Sequence, residues 1–211
     1  MQTSESQKTE KTCIIWMHGL GADAQDMHGL STQLKLPASV SHICLDAPVR
    51  PVTLNNNMPM RAWYDITGMQ LTDREDATGI LQSEALILSA IDKQLADGFQ
   101  HHCIFLAGFS QGGAMALFTA LRLSERLGGI IALSSYLPLV SQVTFAQPTQ
   151  TPIFSAGGLH DPMVLPAWTK MSVAHMQEKG YQAISMHEYS MEHAICYQEV
   201  VDLSAWISSN I

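Results

Sequence analysis

The chain has 211 residues, and 46% of them are hydrophobic, which is enough to bury a sizeable core in one domain. It carries 11 lysines and arginines against 19 aspartates and glutamates, and its formal charge of −8 excludes the basic surface typical of nucleic-acid binding. No apolar run approaches the length of a membrane span, so we expect no integral membrane association.

The first residues are polar, and residues 1–11 are interpreted as an N-terminal extension of a single domain spanning 1–211. They lack the apolar core of a signal peptide. Cys13, Cys44 and Cys103 fall inside strand-like runs, and Cys196 also favours a structural role, so no disulfide framework is indicated. We therefore expect a cytoplasmic protein. Its oligomeric state is left open, a homodimer included.

Short apolar runs recur along the chain and predict the strands of one sheet. They lie near residues 13–17, 41–45, 103–108, 129–134, 152–156 and 183–189. Segments with helical spacing separate most of these runs, and the clearest helices are predicted at 79–96, 112–127 and 196–207. This alternation predicts an α/β fold in which a mostly parallel central sheet carries helices on both faces.

A glycine-rich turn follows the first predicted strand. The strand at 13–17 runs directly into His18, Gly19, Leu20 and Gly21. Such a turn can aim a backbone N–H at a substrate carbonyl, where negative charge develops during acyl transfer. We predict the Leu20 N–H as one donor of an oxyanion hole.

The longest segment without a predicted element is 46–78, which is rich in proline and asparagine and carries bulky apolar residues. Irregular segments of this length are often functional covers or binding loops. Trp63, Met69 and Leu71 on this loop are predicted to line an apolar groove for an acyl chain, together with Met163 and Leu165 further along. Packing of the same residues into an ordinary core is the equal alternative.

The strand near 103–108 is followed by the sequence Gly-Phe-Ser-Gln-Gly at 108–112 and then by a predicted helix. This pattern is typical of a nucleophile elbow, a tight strand-to-helix turn that exposes the hydroxyl of Ser110. The flanking glycines let the strand and helix approach closely. The residue after the nucleophile, Gln111, supplies the second predicted oxyanion donor through its backbone N–H.

A serine nucleophile needs a base and an acid, and in folds built on this turn they follow it in the order acid, then histidine. Asp161 lies just past the strand at 152–156, where open α/β sheets place their sites. A simple loop cap is the alternative for an Asp-Pro pair. His193 lies between the last strand and the last helix, whereas His175 and His187 fall inside predicted elements. We predict Ser110, Asp161 and His193 as a catalytic triad.

The whole pattern resembles the phospholipase/carboxylesterase family of α/β-hydrolases. The matching segments are HGLGAD at 18–23, APVRPVT at 47–53, MRAWYD at 60–65, GFSQGGA at 108–114, LS at 133–134, DP at 161–162 with Val164, and MEH at 191–193 with Glu199. The resemblance spans almost the whole chain. It implies the same triad and the same oxyanion donors, Leu20 and Gln111, and it implies no cofactor or metal.

The resemblance further implies hydrolysis of carboxylic esters or thioesters of acyl chains through an acyl-serine intermediate, with a small ester or an acylated molecule as substrate. A lysophospholipase is the alternative among enzymes, with a peptidase less favoured. A non-catalytic binding module that keeps the hydrolase fold is the alternative from another class. The presence of all three triad residues favours an enzyme.

Overall fold

The computed structural model describes residues 11–68, 70, 74–146 and 149–211. Its strands are β1 (Thr12–Met17), β2 (Val40–Leu45), β3 (Val49–Val52), β4 (Met58–Arg61), β5 (Ile104–Phe109), β6 (Gly129–Leu133), β7 (Ile153–Gly158) and β8 (Ile184–Tyr189). Six of them form one parallel sheet in the order β2-β1-β5-β6-β7-β8. These six strands match the six apolar runs of the sequence, so the predicted sheet is confirmed. The predicted extension at 1–11 lies, except for its last residue, outside the described residues.

The α-helices of the described residues are α1 (Ala24–Ser31), α2 (Ala77–Ala96), α3 (Gln111–Ala120), α4 (Pro166–Glu178) and α5 (Tyr197–Ser208). No helix in this part of the chain combines the length and mean hydropathy that a membrane crossing requires. The predicted helices at 79–96 and 196–207 are close to α2 and α5. The helix predicted at 112–127 is shorter, because the chain turns after α3 and the Leu121 carbonyl accepts a hydrogen bond from the Ala146 N–H.

Helices cover the sheet on both faces. One apolar core joins the sheet to α2, α3 and α4, and a second core on the opposite face joins it to α1 and α5. Alternate residues of β1 divide between the two cores: Ile14 and Trp16 lie in one, and Cys13, Ile15 and Met17 in the other. A strand buried on both faces needs apolar side chains at every position, which explains the continuous apolar run.

The strand order reverses between β1 and β5. The chain passes from β1 through α1 to β2 at one edge, and then returns to β5 on the other side of β1 and proceeds outward to β8. Since α1 and α3 then lie on opposite faces, a crevice opens at the carboxyl ends of β1 and β5. Sites of open α/β sheets lie in such crevices.

The segment 46–78, predicted to be irregular, contains a second, two-stranded sheet. Strands β3 and β4 pair antiparallel, with Pro51 opposite Pro59. Proline lacks a backbone donor and normally argues against a strand, except at an edge, and each of these short strands is an edge. The expectation of a long structureless loop was therefore wrong for 49–61.

Candidate active site

Ser110 occupies the turn between β5 and α3, with φ 54° and ψ −119°. Its backbone N–H donates to the Leu133 carbonyl at 2.8 Å, which ties the turn to β6. Left-handed φ costs a non-glycine residue about 1–3 kcal/mol and persists only where the surroundings enforce it. The turn therefore holds the hydroxyl out of the sheet at the carboxyl ends of the strands.

The glycines around Ser110 are required by close packing. A Cβ atom at Gly108 would lie 2.2 Å from the Gly112 carbonyl carbon. A Cβ atom at Gly112 would lie 2.0 Å from the Met17 carbonyl oxygen. Real Cβ atoms do not approach backbone so closely, so only glycine lets α3 begin against the end of β1.

Three side chains form a continuous hydrogen-bond chain at this edge of the sheet. The His193 Nε2 atom lies 3.0 Å from the Ser110 Oγ, and the His193 Nδ1 atom lies 2.7 Å from the Asp161 Oδ2. With its proton on Nδ1, the imidazole donates to the carboxylate and leaves Nε2 to accept the serine proton. This is the arrangement that activates a serine for nucleophilic attack.

The carboxylate of Asp161 is buried and is held in place by its own loop. The Met163 and Val164 N–H groups donate to the Asp161 Oδ1 at 2.8 and 2.9 Å, so the second oxygen remains available to His193. Asp161 follows β7 and His193 follows β8, as the sequence predicts. Neighbouring parallel strands thus bring the Asp161 and His193 side chains to the same edge of the sheet.

The His193 loop is clamped onto the end of β7. The Leu159 N–H donates to the Tyr189 carbonyl at 2.8 Å, and the His160 N–H donates to the Met191 carbonyl at 3.1 Å. The His193 ring also contacts the Phe109 ring, with centroids 4.8 Å apart. These contacts hold the imidazole over the serine.

The turn after β1 passes close to the serine. A Cβ atom at Gly19 would lie 3.5 Å from the Ser110 Cβ. Among the described residues no acceptor bonds the Leu20 N–H. The Gln111 N–H is the first of α3 and has no partner within the helix. Both amides are therefore available to a substrate oxygen, and the α3 dipole favours negative charge there.

The predicted acyl-groove residues separate into three groups. Met163 and Leu165 are 52% and 42% exposed on the loop after Asp161. Trp63 is only 1% exposed, and its indole N–H donates to the His18 carbonyl, so its side chain belongs to the core and not to an open groove wall. Met69 and Leu71 lie outside the described residues.

An open cavity that sequence reasoning missed lies between the loop after β6 and helix α4. Its volume is about 380 Å³, within the range of small-molecule sites. The wall includes Glu75, Tyr136, Leu137, Val140, Trp168 and Met171. Tyr136 lies just past the carboxyl end of the strand predicted at 129–134, which is the one sequence signal that could have indicated this cavity.

A buried carboxyl, that of Glu199, lies in the first turn of α5, just after the His193 loop. Glu199 is 0% exposed, and neither carboxyl oxygen makes a hydrogen bond of normal geometry with the described residues. Burial raises the pKa of Glu199 to about 8, and the nearby Cys196 backbone N–H, which lowers this pKa, offsets only part of the effect. Cys196 itself is half-buried and precedes the first residue of α5.

The raised pKa of Glu199 predicts a pH-dependent stability. An unfolded glutamate has an ordinary pKa near 4.5, so between about pH 4.5 and pH 8 the folded protein retains a proton that the unfolded chain has released. The free energy of unfolding therefore falls as the pH rises through this window. Glu199→Gln should remove this pH dependence. We expect the free energy of unfolding of the variant minus that of the parent chain, measured by urea unfolding, to be about 1–3 kcal/mol larger at pH 8 than at pH 5.

Glu125→Gln is the control, because Glu125 is an exposed glutamate in the turn after α3. Its effect on unfolding free energy should be the same at both pH values. An equal pH dependence in the two variants would contradict the role assigned to burial of Glu199.

The comparison with known proteins agrees with this geometry. The phospholipase/carboxylesterase family model matches residues 1–211. Carboxylesterase SOBER1 of Arabidopsis thaliana is 29% identical over 208 residues, covering 95% of this chain and 91% of the relative. Acyl-protein thioesterase 1 of Emericella nidulans is 32% identical over 216 residues, covering 95% and 90%.

Solved structures show the same likeness. The crystal structure of Arabidopsis thaliana SOBER1 superposes with a TM-score of 0.87 at 29% identity, covering 94% of this chain and 98% of that one. The crystal structure of Zea mays acyl-protein thioesterase 2 gives a TM-score of 0.85 at 26% identity, covering 97% and 95%. The chain therefore belongs to the phospholipase/carboxylesterase family of α/β-hydrolases and is a hydrolytic enzyme of the carboxylesterase and thioesterase type.

Proposed function

We propose that this enzyme cleaves acyl esters or thioesters by acyl transfer to Ser110, with His193 as the general base and Asp161 as its orienting acid. The observation that carries the proposal is the hydrogen-bond chain from the Ser110 hydroxyl through His193 to Asp161, at 3.0 and 2.7 Å. The left-handed backbone of Ser110 supports it, since strained residues cluster at reactive sites.

In the first step His193 takes the Ser110 proton at Nε2 as the oxygen attacks the carbonyl carbon. The carbonyl oxygen gains negative charge, which the Leu20 and Gln111 N–H groups stabilise in the tetrahedral intermediate. His193 then gives the proton to the leaving alcohol or thiol as the carbon–oxygen or carbon–sulfur bond breaks, leaving an acyl-serine.

In the second step water replaces the leaving group. His193 Nε2 takes a proton from the water, the resulting hydroxide attacks the acyl-serine, and the same proton returns to the Ser110 oxygen as the acid product departs. Asp161 remains ionised throughout and stabilises the imidazolium that forms in each step.

We place the acyl chain along the exposed apolar side chains that follow the acid. Met163 and Leu165 directly precede α4, and the first turns of α4 carry Trp168 and Met171, which line the 380 Å³ cavity. The apolar side chains at the start of this helix support an acyl path that leads away from Ser110.

One experiment tests the proposed reaction and its substrate class. A series of p-nitrophenyl esters from acetate to palmitate is assayed beside an S-acylated peptide, with release of p-nitrophenol or thiol as the readout. We expect turnover of oxygen esters and of the thioester, both lost when Ser110 is modified by a fluorophosphonate. Full ester hydrolysis after stoichiometric labelling of Ser110 would contradict the proposal.

Asp161→Asn is expected to lower kcat about 10⁴-fold while the fold is retained. The new amide oxygen can still accept from the Met163 and Val164 N–H groups, so the loop keeps its anchor. Its NH₂ group, however, would face the His193 Nδ1 and force the imidazole proton onto Nε2, where no acceptor remains for the serine proton. The measurement is steady-state hydrolysis of p-nitrophenyl butyrate at neutral pH.

Asp202→Asn is the matched control. Asp202 accepts the Tyr189 hydroxyl at 2.9 Å on α5, so this variant also neutralises a hydrogen-bonded carboxylate near the His193 loop without touching the imidazole. Its kcat should stay close to that of the parent enzyme. If kcat fell equally in both variants, the loss would come from the removed negative charge and not from the tautomer of the His193 imidazole.

The proposal extends to location and assembly. A cytoplasmic location is supported by the free thiols of Cys13, Cys44 and Cys196, since a reducing compartment keeps cysteines unpaired. A homodimer is a prediction that sedimentation velocity tests directly.

A further inference from the structure

Trp63 ties the long loop to the turn that carries Leu20. The indole N–H of Trp63 donates to the His18 carbonyl at 2.9 Å, and the Gly21 N–H donates to the Arg61 carbonyl at 2.8 Å. Both bonds flank Leu20, one on each side. The position of the Leu20 N–H is thereby set by the Arg61 carbonyl and the Trp63 side chain as well as by the end of β1.

The same loop is tied to the start of α3 by the side chain of Gln111. The Trp63 backbone N–H donates to the Gln111 Oε1 at 3.0 Å, and the Gln111 Nε2 donates to the Tyr64 carbonyl at 2.7 Å. The Gln111 side chain is buried, so both bonds are shielded from water. Because both polar atoms of this buried amide bond to backbone groups, the Gln111 side chain also holds the Gln111 backbone in place.

The loop is itself fastened to the core at this point. The Trp63 carbonyl accepts the Ser83 hydroxyl from α2, and the Trp63 ring lies 5.5 Å from the His18 ring. His18 in turn accepts the Ala47 N–H at 3.0 Å through Nε2. Trp63 thus connects a rigid helix to both segments that carry the proposed oxyanion donors.

We propose that Trp63 is a positioning residue for the transition state: it holds the Leu20 turn and the first residue of α3 in the register at which their two N–H groups converge on one oxygen. This role rests on the proposed function. The two donors come from different elements, and the bonds through Trp63 and the Gln111 side chain join those elements directly. Displacing a reacting group by about 1 Å can cost about 100-fold in rate.

Trp63→Phe tests the role, because it keeps a buried aromatic ring while it removes the indole N–H that bonds His18 and some of the ring volume. Trp16→Phe is the matched control. Trp16 is equally buried, and its indole N–H donates to the His42 Nδ1 at 3.0 Å between β1 and β2, on the opposite face of β1 from Trp63. Both variants lose one buried hydrogen bond from a tryptophan, so a general loss of stability should be similar.

The readout compares p-nitrophenyl butyrate with its thionoester, in which sulfur replaces the carbonyl oxygen. Sulfur accepts hydrogen bonds weakly, so the oxygen-to-sulfur ratio of kcat/KM reports how well the two N–H groups reach the reacting carbonyl. We expect Trp63→Phe to lower kcat for the oxygen ester about tenfold or more and to lower this ratio, with KM nearly unchanged. Trp16→Phe should keep the parent ratio.

Gln111→Met is the second variant, because it removes both side-chain bonds and keeps the backbone N–H. If Trp63→Phe does not fold, the oxygen-to-sulfur ratio of Gln111→Met tests the positioning role in its place. A parent-like ratio in the folded variants, or an equal fall in Trp16→Phe, would overturn the positioning role. Activity that survives in Ser110→Ala would instead overturn the proposed function, whereas an inactive Ser110→Ala beside a parent-like Trp63→Phe would overturn only the role of Trp63.

Discussion

Ser110→Ala is expected to lower kcat for ester hydrolysis by about 10⁶-fold, the cost of removing the nucleophile from a serine triad. The loss should reach this size because, in the part of the chain that the structure describes, the Ser110 Oγ is the hydroxyl that bonds the His193 Nε2, at 3.0 Å. The residual rate would come from transition-state binding alone. The measurement is steady-state turnover of p-nitrophenyl butyrate at high enzyme concentration.

The fold should be unaffected by this change, since alanine occupies the same space at the turn less one oxygen. Far-ultraviolet circular dichroism and the urea midpoint should match those of the parent chain. Ser190→Ala is the control, because Ser190 lies on the His193 loop and its exposed hydroxyl lies 3.5 Å from the His160 Nε2, away from the triad contacts. Its activity should equal that of the parent enzyme. Retention of appreciable activity in Ser110→Ala would refute the nucleophile assignment.

Gly112→Ala is expected to reduce the free energy of unfolding by about 3 kcal/mol or more, or to prevent folding. The added Cβ would lie 2.0 Å from the Met17 carbonyl oxygen and 2.7 Å from the His18 carbonyl oxygen. Both are backbone atoms at the end of a central strand, so neither can move aside as a flexible side chain would. Urea unfolding followed by tryptophan fluorescence measures the loss.

Gly29→Ala is the control for this prediction. Gly29 lies inside α1, and no atom comes within 4 Å of an added Cβ. Alanine is the better helix former, so this variant should be as stable as the parent or up to about 1 kcal/mol more stable. If Gly112→Ala unfolded at the same urea concentration as Gly29→Ala, the close approach of α3 to β1 would be contradicted.

The parts of this structure that follow from local sequence were predicted well. Strands buried on both faces appear as continuous apolar runs, so the strands at 104–109 and 153–158 could be found without a partner in view. Asp161 and His193 could be selected because each directly follows a predicted strand, and carboxyl ends of parallel strands share an edge.

The parts that depend on distant neighbours were not predicted. Trp63 is a bulky aromatic residue in a proline-rich segment, and nothing beside it in the chain reveals that its indole N–H meets the His18 carbonyl. The pairing of β3 with β4 was hidden by Pro51 and Pro59, which are tolerated there because both strands are edges. Nothing beside Gln111 in the chain reveals that its side chain bonds the Trp63 N–H and the Tyr64 carbonyl.

The left-handed backbone of Ser110 has a consequence for how this enzyme can be improved. Glycine would adopt φ 54° without steric penalty, but it has no hydroxyl to offer. The folded protein is therefore less stable with serine at this position than it would be with glycine, but only serine supplies the hydroxyl oxygen. We therefore expect a screen that selects only for a higher melting temperature to favour glycine at position 110, at the expense of the proposed acyl transfer.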